Sequence, residues 1–391
     1  MVRRRADWFV RLCVVFALTA CNPMPEAPPV APTVTPSIPV APKVGRPTAL
    51  FYAKAGSLYV SDPAGTPGRK LTDGPADTQP APSPDLAHVA FVRKANASDY
   101  GGELWVLDLS PGLAPVGTPR RLVDPAALPS AATGGAASMI VSPRWSPGGK
   151  QIAFLDNQSS GSVGGGRLVV AASDSGTVAA DQQDLDAGTA YAWGPDGRHI
   201  AWVNARSDVS PVSVNVFQVG AASVPVVQDA NAMSVTFGKD GQTILFANGD
   251  ASGPQFTEIP FAIRTGGIFS VAALGAPAAG PVPLLASPGS FFSDIAALNS
   301  GGVAFTAQGA DNSSRVIDVL DPGTSMPRTT VTAVTADGQG PVWGAGDFVG
   351  YLAPGGSLIV TDEKNSMSQK VDWGVDAFAW PTQPSGAASG G

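Results

Sequence analysis

The chain has 391 residues, of which 44% are hydrophobic and 14% charged, enough apolar material to bury a core and too much for a disordered polymer. Its 46 glycines and 37 prolines interrupt the sequence too often for long helices and favour many short strands joined by turns. The net charge of −7 leaves no basic footprint for phosphate, which excludes a nucleic-acid partner.

At the N-terminus, Arg3 to Arg5 precede the apolar run Leu12–Leu18, a pattern expected of a secretory signal too short to span a bilayer. The following Leu18-Thr19-Ala20-Cys21 resembles the lipobox of bacterial lipoproteins. That resemblance implies cleavage after residue 20, lipidation of Cys21 and attachment to the cell membrane or outer membrane, facing the periplasm or the exterior. Arg3, Arg4, Arg5, Arg11 and Asp7 would leave with residues 1–20, taking the net charge from −7 to −10. Cys13 would leave too, so no disulfide is expected. Residues 21–47 follow as the lipidated cysteine and a proline-rich stalk or structureless tether. In polyproline II form, at ~3.1 Å per residue, it would reach about 80 Å.

From residue 48 onward one phrase recurs: a bulky residue, a Gly/Pro/Asp turn, then a run of the type Ile-Ala-Phe. The clearest copies are Trp145-Ser146-Pro147-Gly148-Gly149 before Ile152-Ala153-Phe154, and Trp193-Gly194-Pro195-Asp196-Gly197 before Ile200-Ala201-Trp202. The bulky positions Pro82, Trp145, Trp193, Phe237, Leu298, Trp343 and Trp380 lie about 40 to 60 residues apart, the period of four-stranded propeller blades. In each unit, strand a ends at the bulky residue and strand b is the Ile-Ala-Phe run. Strand c is an alternating stretch such as Leu104–Leu107, and strand d is a short run such as Arg69–Thr72.

The fold class expected is therefore all-β, a seven-bladed β-propeller over residues 48–382, with six blades as the alternative. The first unit starts at strand b (Ala49–Tyr52), and Val375–Pro381 looks like a strand a with nothing after it. Pairing the two would close the ring and remove its open edges. Residues 383–391, rich in Gly, Ser and Ala, are expected to form a disordered tail.

The succession Leu71-Thr72-Asp73-Gly74, Ser83-Pro84-Asp85, Val89-Ala90-Phe91 and Gly102-Glu103-Leu104-Trp105 resembles the repeat of TolB-type, WD-like β-propellers. The resemblance is to the repeat superfamily, so the partners of TolB itself do not carry over.

Chemistry is sparse. The two histidines, His88 and His199, occupy the same repeat position, a blade apart, and read as structural; with no remaining cysteine, no transition-metal site and no cofactor are expected. No Gly-x-Ser-x-Gly elbow occurs. Asp62, Asp108, Asp174, Asp321 and Asp362 recur after strand c and read as turn caps, with calcium at one of them as the alternative. The repeated Trp and Phe positions read as wedges between blades.

Function is expected where the connections lengthen. Residues 94–102, 157–166, 204–213 and 249–267 join strands b and c, and 124–140 joins d to a; in a propeller these share one face. Within 249–267, Phe256, Glu258, Phe261 and Arg264 mix aromatic and charged groups as interface anchors do. Asp99, Tyr100, Arg206 and Asp208 would extend the patch around the rim. The expected role is a noncatalytic scaffold binding an envelope protein, a peptide or a glycan. The alternative is a carbohydrate-active lyase or hydrolase using carboxylates on that face.

Overall fold

The computed structural model describes residues 49–381, apart from 63–65, 129–138, 157–165, 186–188, 204–211, 251–262, 274–279, 299, 310–314, 335–341, 344–347 and 363–366. The expected signal, Cys21, the stalk and the tail thus lie outside the described residues. The chain divides into two units, Met1–Val44 and Gly45–Gly391, and the architecture below is that of the second.

Strands follow in chain order, seven antiparallel sheets of four. Blade 1 holds β1 (Leu50–Lys54), β2 (Ser57–Ser61) and β3 (Arg69–Lys70) as strands b, c and d. Blade 2 comprises β4 (Asp77–Pro82), β5 (His88–Arg93), β6 (Glu103–Leu109) and β7 (Pro115–Arg121). Blade 3 comprises β8 (Val141–Trp145), β9 (Gln151–Asp156), β10 (Gly166–Ala172) and β11 (Val178–Leu185). Blade 4 comprises β12 (Ala190–Trp193), β13 (His199–Val203), β14 (Val212–Gln218) and β15 (Val224–Ala230). Blade 5 comprises β16 (Ala232–Phe237), β17 (Thr243–Asn248), β18 (Gly267–Ala272) and β19 (Val282–Ala286). Blade 6 comprises β20 (Phe291–Ala297), β21 (Val303–Gln308), β22 (Arg315–Leu320) and β23 (Arg328–Val334). Blade 7 comprises β24 (Val342–Trp343), β25 (Phe348–Ala353), β26 (Ser357–Asp362) and β27 (Met367–Asp372). The last strand, β28 (Val375–Ala379), returns to blade 1 as its strand a.

That return closes the ring as expected. β28 pairs antiparallel with β1, Phe51 opposite Ala379 and Tyr52 opposite Phe378. Phe378 is fully buried and Trp380 nearly so. Across the same seam, Asp372 of blade 7 accepts hydrogen bonds from Tyr52 Oη (2.9 Å) and Lys54 Nζ (2.7 Å) of blade 1.

Strand composition follows radial position. Strands b carry continuous apolar runs because neighbouring blades cover both faces, as in Val89–Val92 and Ile152–Leu155, all buried. Outer strands d face water, and β7 is exposed along nearly its whole length. The core is divided into clusters between successive blades, for example Phe51, Leu58, Val89 and Phe91 between blades 1 and 2, and Leu245, Ile268, Phe292 and Phe305 between blades 5 and 6.

The a–b turns explain the recurring phrase. In blades 2 to 5 the first turn residue donates its N–H to the carbonyl five positions on, as in Ser146 to Gln151 and Gly194 to His199 (2.9 and 2.7 Å). The fourth turn position is left-handed, so Gly149, Gly197 and Gly241 occupy it at φ +69°, +64° and +66°. Asp85, Asp196 and Asp240 cap these turns through backbone N–H groups, for instance Arg198 and His199 on Asp196 (2.9 and 3.1 Å).

Two expectations are corrected. The repeating caps are these a–b aspartates, whereas Asp108 pairs with His88 (2.8 Å) and Asp321 with Arg328 (3.0 Å), both bonds to side chains rather than to turn backbone. In blade 6 the turn is one residue shorter, Leu298 N–H bonding Gly302 O, so Ala297 and not Leu298 lies opposite Val303.

In blades 3 and 4 the wedges tie the blade to the one before. Trp145 Nε1 donates to Ala81 O (2.7 Å) and Trp193 Nε1 to Arg144 O (3.1 Å). His88 stacks on Trp145 of the next blade, ring centroids 6.0 Å apart, and His199 pairs with Asp196, so both histidines serve the framework. A bulge recurs in the innermost strands. Gln79, Ser142 and Asp294 each sit at positive φ where the a–b register shifts, three residues before the turn-side end of the strand.

Candidate functional site

Strand polarity sorts the connections onto two faces. The a–b turns at 83–87, 146–150, 194–198 and 238–242 are tight, whereas the connections at 94–102, 122–140, 157–165, 204–211 and 249–266 leave from the b–c and d–a ends of blades 2 to 5. With the nine-residue c–d connection 273–281 of blade 5 on the other side, the longer connections therefore lie mostly on one face of the ring.

Part of that face is braced. Gly102 and Ile140 exchange two backbone hydrogen bonds (3.0 and 2.9 Å), joining the b–c loop of blade 2 to the connection into blade 3. Beneath them Arg93 clamps the fully buried Asp77 carboxylate with two bonds (2.6 and 2.9 Å) and lies over the Trp105 ring at 4.5 Å. Asp124 caps the short turn Pro125–Ala127 through Ala126 N–H.

The same face collects the exposed aromatic surface. Among the described residues, Tyr100 (40% exposed), Phe291 (42%) and Trp373 (66%) are the aromatic side chains open to solvent, and all three lie at its b–c or d–a connections. Solitary exposed apolar residues are ordinary, but three rings gathered on one side are not. Trp373 is held in place: Lys54 Nζ stands 4.7 Å over its ring, and its backbone N–H bonds Asp372. Burial alone would raise the Asp372 pKa; the bonds from Lys54, the Trp373 amide and Tyr52 outweigh it and hold the carboxyl below its usual range. Tyr52 moves the opposite way, raised by burial and by the Asp372 carboxylate.

A cavity of about 220 Å³ opens at the b–c end of blade 6. Met233, Phe291 and Phe292 supply its apolar wall, and Ser293, Thr306, Gln308 and Arg315 its polar side.

Of the residues expected to form the patch, Arg206, Asp208, Phe256, Glu258 and Phe261 lie outside the described residues. Tyr100 is exposed on the face. Its neighbour Asp99 is used within the loop, accepting bonds from Asn96 N–H (2.8 Å) and Nδ2 (3.3 Å), so it shapes the loop that presents Tyr100. Arg264, partly buried, belongs to the b–c connection of blade 5, away from the loop of Asp99 and Tyr100 in blade 2. Phe291, Trp373, Met233 and Arg315 were not anticipated. The sequence signal for them was position: each sits within two residues of a b–c or d–a connection that is itself short.

Among the described residues, no three His, Cys, Asp or Glu side chains come together as a cation site. No family model and no curated protein matches the sequence. Solved structures do match. The tricorn protease aligns with TM-score 0.55 at 12% identity, over 85% of this chain and 34% of that one. TolB from Acinetobacter baumannii aligns with TM-score 0.50 at 14% identity, over 85% and 81%. The β-propeller domain of the Trilobed protease from Pyrococcus furiosus aligns with TM-score 0.52 at 14% identity, over 83% and 93%; it is described as having an open velcro topology, whereas β28 closes the ring here. At such identities the likeness carries the fold, a TolB-like propeller shared by TolB and by protease propellers alike.

Proposed function

We propose that this chain is a noncatalytic docking module of the cell envelope, exported, anchored through a lipid on Cys21, and engaging its partner through the b–c/d–a face. The observation that carries the reading is that Tyr100, Phe291 and Trp373 are all exposed on the face that also bears most of the long connections. Aromatic side chains of this kind anchor interfaces because they bury a large area at little entropic cost. The ring supplies rigidity: β28 locks the blades, and the buried Asp77–Arg93 clamp and the Asp372–Lys54 pair fix loop ends beside Tyr100 and Trp373. A tether of residues 21–47 would hold the module near the membrane, so effective concentration strengthens modest affinities. The partner class is an envelope protein, peptide or glycan.

The test is capture after crosslinking in intact cells, comparing the native chain with a Tyr100→Ser, Phe291→Ser, Trp373→Ser variant and with a Val224→Ser, Val282→Ser, Met326→Ser control on the opposite side. A partner lost only in the first variant supports the reading. Equal capture by both variants, or polysaccharide turnover by the purified chain, would replace it with the opposite face or with the enzyme reading.

A further inference from the structure

Met233 stands apart from the ladder of the strand that carries it. β16 pairs Ala232 with Asn248 and Ser234 with Ala247, so Met233 is the extra residue of a bulge and has no opposite number. Bulges re-aim side chains. This one turns Met233 to the b–c/d–a face, where it is 47% exposed and shares the apolar wall of the blade 6 cavity with Phe291 and Phe292.

Sulfur and ring are neighbours there. Met233 Sδ and Phe291 Cδ1 lie 3.2 and 2.9 Å from the point that a Cβ on Gly249 would occupy, so a larger residue would displace one of them. Gly249 is itself held in place, its carbonyl accepting from Asn231 Nδ2 at 3.0 Å. One residue beyond the methionine, Ser234 Oγ accepts the Ile295 N–H of blade 6 at 2.9 Å, next to the left-handed Asp294 (φ +50°). The thioether thus packs where blade 5 meets blade 6. Met326 (81% exposed) and Met367 (45%) belong instead to c–d ends on the opposite face, and Met139 is half-buried.

An exposed thioether reacts with peroxides. The sulfur lone pair attacks one peroxide oxygen; the S–O bond forms as the O–O bond breaks, sulfur gives up two electrons, and hydroxide departs with the proton of the transferred hydroxyl as water. The product is polar. A sulfoxide oxygen on a wall built with Phe291 and Phe292 has to be hydrated, and the sulfur no longer packs on the ring as a thioether does.

We propose that Met233 is an oxidation switch on this face. Peroxide converts it to the sulfoxide, which frees Phe291 and loosens the junction of blades 5 and 6; thiol-dependent reductases reverse the change, two thiols becoming a disulfide as the oxygen leaves as water. The consequence for partner capture rests on the docking reading, whereas the loosening does not.

The test treats the purified full chain with dilute hydrogen peroxide and follows it by peptide mass mapping and by amide exchange at Ile295. Met233 is expected to oxidise within about threefold of the rate of Met367, whose exposure is nearly equal. Exchange at Ile295 should then quicken by roughly tenfold, both in the native chain and in a Met326→Leu, Met367→Leu variant. Met233→Leu, which keeps the volume and lacks the sulfur, should show no quickening on treatment. Reduction by the two epimer-specific methionine sulfoxide reductases should restore the starting rate. An unreacted Met233, an unchanged rate after oxidation, equal quickening in Met233→Leu, or a rate that reduction leaves high would each overturn the proposal. A chain that captures no partner before treatment would sink the docking reading and leave these exchange rates to decide this one.

Discussion

Individual carboxylates in this ring pull stability in opposite directions with pH. At Asp85, Asp196 and Asp240 burial alone would raise the pKa, but hydrogen bonds from the turn outweigh it and the net shift is downward. A depressed folded-state pKa stabilises above the unfolded value near 4, and that stability is lost as pH falls through the folded value. These turns are largely solvated, so each contributes modestly. Asp318 is the counterpart. Burial raises its pKa against a bond from Thr329, and its Oδ1 has no partner. A raised carboxyl destabilises the fold increasingly as pH climbs from about 4 toward its folded value. Asp318→Asn is therefore expected to raise the melting temperature at pH 7 by about 2 °C, and the gain should vanish by about pH 3.5. A gain that persists unchanged in acid would assign the effect to packing instead. The a–b aspartates could be read from Pro-Asp-Gly turn chemistry; Asp318 could not, because it shares the sheet face of Phe305, which is covered only when blade 5 packs against blade 6.

At the level of strands and turns, periodicity exposed most of the design. Tight Ser-Pro-Gly-Gly and Gly-Pro-Asp-Gly turns followed by apolar runs marked strands a and b, and the alternating Leu104–Leu107 marked a strand c. Blade 6 shows the limit. Counting residues placed Leu298 at the end of its strand, but the shorter turn shifts the pairing to Ala297. The bulges at Gln79, Ser142 and Asp294 left no trace in composition, since left-handed conformations at these residue types are imposed by contacts with the neighbouring blade, such as Ser142 N–H on Gln79 Oε1 (2.6 Å). The loop of blade 2 offers a sharp check on presentation. A Cβ at Gly102 would stand 2.3 Å from Arg93 O, so only glycine lets the chain pass under the Ile140 bridge. Gly102→Ala should cost about 1–3 kcal/mol in denaturant unfolding and speed amide exchange at Ile140. A neutral substitution would mean that the bridge does not hold the loop of Tyr100.

For the whole molecule, closure was legible because the two ends carried complementary halves of one blade, while the functional face was legible only in outline. Loop lengths identified the face and Tyr100 on it; Phe291 and Trp373 came from short connections, where length gives no signal. Closure has a measurable consequence. Ending the chain after Gly374 removes β28, together with buried Phe378 and Trp380, and bares the edge of β1. Two large aromatic side chains lost from the core amount to roughly 6 kcal/mol or more, a drop in melting temperature of about 10–20 °C. A truncated chain melting as the native one does would show that the ring holds without its last strand.

Site-specific photocrosslinking in living cells addresses the docking face itself. A photoreactive residue placed singly at Tyr100, Phe291 or Trp373 is expected to trap one common partner, whereas the same residue at Val224, Val282 or Met326 should trap none. Adducts to a common partner from the second group, or from both groups equally, would contradict the account.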